Sequence, residues 1–318
     1  MKVVVTDISF KAYEEEKKIF AENDIEFIIT NNESEEDIIE AAKDADGLLN
    51  ANVQITRKVI ESLPNLKVVC RYGIGYDTID IQAATDNKVY VANVPDYCID
   101  EVADHALTLL LTASRKIMIM NQQLKEGKQI TVFDVAPIHR FRTQTVGLIS
   151  FGHIARNLCQ KLKVIGFNVI AYDPFCGEEI AKEYGIQLVT LEELLRTSDI
   201  ISVHAPLVKD TYHLINEETL KLVKKSAIIV NTGRGPIIKE QAIIEALQEK
   251  RIAGAALDVL EKEPIDPDNP LLKLDNVILT PHAAFYSEES SSEMKQKAAK
   301  NIVNVLKGDV PNYWVNPF

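Results

Sequence analysis

Thr145-Val146-Gly147-Leu148-Ile149-Ser150-Phe151-Gly152-His153-Ile154-Ala155 decides the fold: an apolar run enters a turn of small residues and leaves it as a helix. On the Gly-x-Gly-x-x-Gly/Ala spacing, the three glycine positions hold Ser150, Gly152 and Ala155. The middle position is where backbone approaches a pyrophosphate closely, and alanine is accepted at the third, where helix meets strand. The helix start adds unpaired N–H groups and a partial positive charge suited to phosphate. Ser150 departs from the usual first glycine, so the tight turn has to be made around a Cβ. Asp173 supplies the second half of the signal. It follows the next apolar run, Asn168-Val169-Ile170-Ala171-Tyr172, and lies 23 residues beyond Ser150. A carboxylate at about this distance accepts hydrogen bonds from ribose hydroxyls and repels a 2′-phosphate. Pro174-Phe175-Cys176 brings no arginine to bind such a phosphate. Loop and carboxylate together predict a site for NAD rather than NADP.

In both directions from this stretch, short β-branched runs alternate with amphipathic helices. That rhythm predicts an α/β protein with parallel sheets covered on both faces. Upstream, strands are expected at 2–6, 26–30, 46–50, 67–71 and 88–92, with helices at 11–22, 35–43, 57–63 and 80–86. Pro95 closes this set, and one long helix is expected over 99–126, ended by Gly127. Residues 128–144 lack periodicity. After the strand at 145–150, helices are expected at 154–164, 191–196, 217–223 and 240–249, and strands at 168–172, 199–204, 227–231 and 253–259. A last helix is expected at 288–306, with Gly308 just past it.

A chain of 318 residues is long enough for two domains. Apolar residues at 46% and charged residues at 26% exclude wholesale disorder. With 47 acidic and 35 basic residues the net charge is −12, which argues against nucleic-acid or anionic-membrane binding. The run Val3-Val4-Val5 is too short for an export signal, and no stretch nears the ~18–20 apolar residues of a bilayer span. Cys70, Cys98, Cys159 and Cys176 form no Cys-x-x-Cys pair and read as free thiols in a reducing cytoplasm. No His/Cys/Asp cluster has metal-ligand spacing, so no metal is expected. The acidic clusters at 14–16 and 33–37 read as solvated helix faces.

Three later motifs put reactive side chains just past predicted strands, where open parallel sheets bind ligands. They are Asn231-Thr232-Gly233-Arg234-Gly235-Pro236, Leu257-Asp258-Val259-Leu260-Glu261-Lys262-Glu263-Pro264, and Leu279-Thr280-Pro281-His282. Histidine serves general acid–base chemistry near neutral pH, and the planar fork of arginine matches a carboxylate. With these motifs the chain resembles the D-isomer-specific 2-hydroxyacid dehydrogenase family over almost its whole length. Within that family the likeness is closest to the C-terminal-binding-protein type. It is carried by Asn93-Val94-Pro95-Asp96-Tyr97, Glu101-Val102-Ala103-Asp104-His105, Val203-His204-Ala205-Pro206, Ile215–Thr219 and Pro281–Glu288.

The resemblance implies two doubly wound parallel-sheet domains: a flavodoxin-like substrate domain from 1–98 completed by 287–318, and a Rossmann NAD-binding domain at 99–286. It implies an active site in the cleft between them and a homodimer assembled through the central domain. It assigns Arg234 to the substrate carboxylate and carbonyl, His282 to proton transfer, and Glu263 to the other ring nitrogen of His282. Backbone N–H groups of Tyr72, Gly73, Ile74 and Gly75 are expected on the substrate carboxylate. Ser150, Gly152, His153 and Ile154 fall by the pyrophosphate, Asp173 on the ribose, and Ala205 and Pro206 near the adenosine. Thr232, Gly233, Arg234, His282 and Asp258 fall near the nicotinamide, with Asp258 bonding its amide. Glu261 competes with Glu263, which is preferred because the family motif puts the acid directly before Pro264. His105, His139, His204 and His213 lack such joint support. The expected activity is NAD-dependent oxidoreduction between a small 2-keto acid and its D-2-hydroxy acid. The alternatives are an NAD(H)-sensing binding scaffold, which is expected to carry extra regulatory tails, and a phosphoglycerate or glycerate dehydrogenase.

Overall fold

The computed structural model describes residues 1–32 and 34–318; Glu33, counted above in an acidic cluster, lies outside the described residues. The chain packs as two compact units, Met1–Cys98 with Ser287–Phe318, and Ile99–Tyr286.

The first unit opens with β1 (Lys2–Val5), α1 (Glu14–Ala21), β2 (Glu26–Ile29), α2 (Glu35–Ala42), β3 (Gly47–Asn50), α3 (Arg57–Glu61), β4 (Val68–Arg71), α4 (Ile81–Asp86) and β5 (Tyr90–Ala92). All strand pairs are parallel, in the order β2-β1-β3-β4-β5. This is the 2-1-3-4-5 order of flavodoxin-like folds. Helices α2, α3 and α4 start where the sequence offers a capping oxygen: Ser34, Thr56 and Asp80 accept from the N–H of Asp37, Val59 and Ala83. Val3, Val4 and Val5 have no exposed surface, as expected of a strand buried on both faces.

The second unit contains α5 (Ile99–Ser114), α6 (Ile117–Lys125), β6 (Thr145–Ile149), α7 (His153–Ile165), β7 (Asn168–Tyr172), α8 (Glu178–Tyr184), β8 (Gln187–Leu188), α9 (Leu191–Thr197), β9 (Ile200–Val203), α10 (Glu217–Leu220), β10 (Ile228–Asn231), α11 (Glu240–Gln248), β11 (Gly254–Leu257) and β12 (Val277–Leu279). Its seven parallel strands run β12-β11-β10-β9-β6-β7-β8. Six of them follow the Rossmann order, with β12 added at one edge, and the strand order reverses between β6 and β9. Ligands bind in such sheets at that switch point, beyond the carboxyl ends of the strands. Gly147, in the middle of β6, lets α9 lie close on the sheet: a Cβ there would sit 2.2 Å from Ser198 Oγ and 2.7 Å from Leu194 Cδ2. The chain then returns to the first unit as α12 (Glu288–Leu306), which packs on β3, β4 and β5.

Two expectations change. The long helix over 99–126 is two helices, because Lys116 takes a left-handed φ of +54° between α5 and α6. Neither glycine nor proline marks this break in the sequence. Helix α8 and the two-residue β8 were not expected; their residues are mostly polar or half-exposed and give little periodic signal. Among the described residues, no helix is long and apolar enough to cross a membrane.

Candidate active site

The turn after β6 is built around Ser150 and Asp173. Ser150 has φ +73°, the backbone that glycine reaches without steric cost. Its hydroxyl donates to Asp173 Oδ2 at 3.2 Å, and the next N–H, of Phe151, donates to the same oxygen at 2.8 Å. Phe175 N–H donates to Asp173 Oδ1 at 2.8 Å. The residue replacing glycine is thus tied to the carboxylate expected to receive the ribose. A carboxylate has about four acceptor positions, so Asp173 retains capacity for a hydroxyl.

Gly152 caps α7 with no side-chain cap bond. The N–H groups of Gly152, His153 and Ile154 have no acceptor among the described residues. A Cβ on Gly152 would meet nothing within 4 Å. Unpaired donors around open space at the start of a 13-residue helix fit a pyrophosphate. Across the switch point, the loop after β10 lies against the loop after β9: a Cβ on Gly233 would come within 3.1 Å of Ala205 O. Pro206 follows Ala205 and is exposed. Thr232 Oγ1 is buried and has no hydrogen-bond partner among the described residues. A buried hydroxyl left orphaned in this way suits a polar group of a bound cofactor.

Because β10, β11 and β12 are neighbours in the sheet, the segments past their carboxyl ends lie side by side. Asn231 fixes the first of them, accepting from Gly233 N–H and donating to Arg234 O, both at 3.0 Å. Arg234 Nη1 donates to Gly233 O at 3.0 Å. The segment after β11 carries Glu263, whose Oε1 accepts from Leu260 N–H at 3.0 Å. Its Oε2 lies 2.7 Å from His282 Nδ1, past β12. His282 and Glu263 have 36% and 37% of their side chains exposed, so the pair is accessible as well as fixed. Glu261 goes elsewhere, to His213 Nε2 at 2.6 Å. Phe285 meets the His282 ring edge-on at 6.3 Å.

Asp258 lies under this edge with its side chain fully buried. Oδ1 accepts from Thr280 Oγ1 at 2.6 Å and from Ala283 N–H at 2.9 Å; Oδ2 accepts from Ala284 N–H at 2.9 Å. Burial opposes its ionisation, but bonds from His105, Thr280 and the two N–H groups outweigh burial and bring the pKa to about 2. Three of its acceptor positions therefore serve the chain around His282 rather than a cofactor amide. His105, set aside on sequence grounds, has its Nε2 3.0 Å from Thr280 Oγ1. It could not be found from the sequence, since 175 residues separate it from Thr280. His204 belongs to the interior: burial lowers its pKa to about 4, and it pairs with Ser202 Oγ at 2.8 Å.

In the first unit, Tyr72-Gly73-Ile74-Gly75 follow β4. The N–H groups of Gly73, Ile74 and Gly75 have no acceptor among the described residues, and Gly73 has φ +119°. Consecutive free N–H groups of this kind make an anion-binding concavity. Tyr72 is a correction. Its N–H donates to Asn50 O at 2.8 Å, its hydroxyl donates to Glu16 Oε1 at 2.8 Å, and only 3% of it is exposed, so it packs in the core. Among the described residues, no three His, Cys, Asp or Glu side chains are grouped to hold a metal.

A seven-stranded sheet in Rossmann order, with a nucleotide-type turn at its switch point, defines a dinucleotide-binding fold. Comparison with known proteins gives the particular kind. The family described as "D-isomer specific 2-hydroxyacid dehydrogenase, NAD binding domain" matches residues 107–284. The chain is 40% identical to a glyoxylate reductase of Korarchaeum cryptofilum, over 88% of this chain and 85% of that protein. It is 38% identical to a D-3-phosphoglycerate dehydrogenase of Archaeoglobus fulgidus, over 97% of this chain but 58% of that longer protein. The structure of D-lactate dehydrogenase from Aquifex aeolicus, complexed with NAD and lactic acid, matches with TM-score 0.87 and 26% identity over 99% of both chains. The chain belongs to the D-isomer specific 2-hydroxyacid dehydrogenase family, a family of NAD-dependent oxidoreductases acting on 2-hydroxy acids.

Proposed function

We propose that the protein reduces a small 2-keto acid of the glyoxylate class with NADH. The observation that carries this reading is the His282–Glu263 pair at 2.7 Å, with Glu263 on the strand-end segment beside the one that bears Arg234. The cofactor, when bound, supplies the hydride. Arg234 binds the substrate carboxylate through its fork and polarises the carbonyl. His282 gives a proton to the carbonyl oxygen as charge develops there. Glu263 holds the other ring nitrogen, which fixes the ring's orientation and tautomer. In this reading Ser150, Gly152, His153 and Ile154 receive the pyrophosphate, Asp173 the ribose, and Thr232 and Gly233 the nicotinamide end. The first unit is the substrate domain, and its free N–H groups at Gly73–Gly75 form an anion-binding concavity. The glyoxylate class is supported by the 40% identity to a glyoxylate reductase, against 38% to a phosphoglycerate dehydrogenase.

The functional form is a homodimer joined through the central unit. Helix α6 buries none of its residues; Ile117, Met118 and Leu124 are 49–59% exposed, and Phe133 beyond it is 85% exposed. A face this apolar calls for a partner surface. Cys70, Cys98 and Cys159 are buried, which fits a reducing cytoplasm. The test is NADH oxidation against glyoxylate, hydroxypyruvate, pyruvate and phenylpyruvate, with the mass in solution read alongside. Turnover of glyoxylate or hydroxypyruvate at twice the chain mass supports the reading. Turnover of none of the four would refute it and favour an NAD(H)-sensing scaffold.

A further inference from the structure

His282 sits in a conformation that needs support. Its φ is +53°, in the left-handed region that non-glycine residues rarely occupy. Such a residue persists where its surroundings over-determine it. Asp258 supplies three of the bonds that hold this backbone, beside the one from His282 N–H to Thr280 O at 3.0 Å. His282 N–H donates to Asp258 O at 2.8 Å, and the next two N–H groups, of Ala283 and Ala284, donate to the two carboxylate oxygens of Asp258. The Asp258 carboxylate therefore holds the two residues that follow His282.

That carboxylate is in turn fixed from outside its own sheet edge. Thr280 Oγ1 lies 2.6 Å from Asp258 Oδ1, and a carboxylate accepts only, so the threonine proton points to Asp258. A threonine has one hydroxyl proton. His105 Nε2, 3.0 Å from the same oxygen, can then interact with it only as a donor. It also lies 3.4 Å from Asp258 Oδ1. The geometry thus sets the His105 tautomer and a one-way chain of donors: His105 Nε2–H to Thr280 Oγ–H to Asp258 Oδ1. His105 is carried on α5, which packs on β10 and β11 through a buried face that includes Ala103, Ala106 and Leu110. The donor chain therefore fastens the His282 loop to a helix on the face of the sheet.

We propose that His105 is a positioning residue for the reaction, acting through Thr280 and Asp258 to hold the loop that presents His282. This rests on His282 being the proton donor, as proposed above, but its structural half does not. Removing the donor (His105→Leu) leaves the Thr280 hydroxyl free to turn and one side of a buried carboxylate unsupported. Glutamine places an N–H near the position of a histidine Nε2, so His105→Gln keeps the donor. Thr280→Val removes the hydroxyl at constant shape, and Thr280→Ser restores it.

The experiment has two readouts on the native protein and these four variants. The first is steady-state reduction of glyoxylate by NADH. His105→Leu and Thr280→Val are each expected to lower kcat about tenfold, with the KM for glyoxylate and the Kd for NADH within twofold of native. His105→Gln and Thr280→Ser should recover most of the loss. The double variant His105→Leu/Thr280→Val should be no slower than either single one, because both cut the same chain. The second readout is hydrogen–deuterium exchange over 280–286, which needs no turnover. The amides of Ala283 and Ala284 should exchange at least tenfold faster in the Leu and Val variants and at the native rate in the Gln and Ser variants. Native exchange in all four variants overturns the proposal, whether or not glyoxylate is the substrate. Equal kcat loss in His105→Leu and His105→Gln also overturns it. Native protein that turns over no keto acid, yet shows the exchange pattern, contradicts the proposed function and leaves the loop-holding role of His105 standing.

Discussion

Gly235 and Gly152 flank the two halves of the site, and adding one methyl group to each should have opposite consequences. Gly235 follows Arg234 directly and is buried. A Cβ there would lie 1.8 Å from Leu260 O, 2.0 Å from Leu260 C and 2.6 Å from Glu261 N. Ordinary contact begins near 3.4 Å, so the two segments would have to part by about 1.6 Å. Every atom in the way is backbone, and no rotamer change relieves it. The segments forced apart are the one that carries Arg234 and the one that leads to Glu263. Overpacking of this kind costs about 1–3 kcal/mol or more, and a shift of about 1 Å in a catalytic group can cost about 100-fold in rate. Gly235→Ala should therefore lower Tm by several degrees and kcat/KM for glyoxylate about 100-fold. Gly152 has φ −75°, which any residue can adopt, and open space where the Cβ would be. Gly152→Ala should leave Tm within about 1 °C but raise the Kd for NADH at least tenfold, because the methyl occupies the pyrophosphate's place. Both proteins are read by thermal unfolding, NADH fluorescence titration and initial rates. Native kcat/KM in Gly235→Ala, or native NADH affinity in Gly152→Ala, would show that these segments do not form the site.

Further expectations follow from single side chains. Initial rates should favour NADH over NADPH by at least ~10-fold, about 1.4 kcal/mol, since Asp173 would face the 2′-phosphate; equal rates would contradict its assignment. Arg234→Lys keeps charge but loses the fork, so the KM for the keto acid should rise and kcat fall while NADH titration stays unchanged. Against burial, hydrogen bonds from His105, Thr280 and two N–H groups hold the Asp258 carboxyl at about 2, below the usual carboxylate range, so it stabilises the second unit above about pH 4. That contribution, about 2 kcal/mol, is lost as pH falls from 4 towards 2. Urea unfolding followed by far-ultraviolet circular dichroism should show this loss in the native protein and not in Asp258→Asn; tryptophan fluorescence would report the other unit, where Trp314 lies. Burial pushes the Cys70 and Cys159 thiols up to about 12 and about 11, so a thiol reagent should find Cys176 first and all four only after unfolding.

Much of this was legible in residue order because the relevant forces are local or periodic. Buried parallel strands read as unbroken β-branched runs, and turn residues punctuated them, so the strand–helix order over 1–92, 145–172 and 191–257 came through to within a few residues. The nucleotide turn was legible because its function needs small residues at fixed spacing. What stayed hidden depends on contacts distant in sequence. The hydroxyl of Ser150 finds Asp173, and this pair lets serine stand where glycine is usual; no local pattern announces it. Residue type alone does not separate Glu261 from Glu263; the resemblance preferred Glu263, and the folded loop sends Glu261 to His213 and Glu263 to His282. Tyr72 sits beside the glycines in sequence but turns into the core, because a strand alternates its faces and Glu16 waits on the buried side. The break at Lys116 uses a left-handed lysine where sequence rules look for glycine.

The most direct test of the central claim is the handedness and origin of the product. Hydroxypyruvate is reduced with NADH deuterated at the transferring position, and the glycerate formed is resolved on a chiral column and weighed by mass spectrometry. D-glycerate carrying one deuterium at C2 is expected from the native protein, with the yield falling on the order of 10²–10⁴-fold in His282→Ala, the usual value of general acid–base help. L-glycerate, a product without the label, or undiminished turnover in His282→Ala would contradict the assignment of this site.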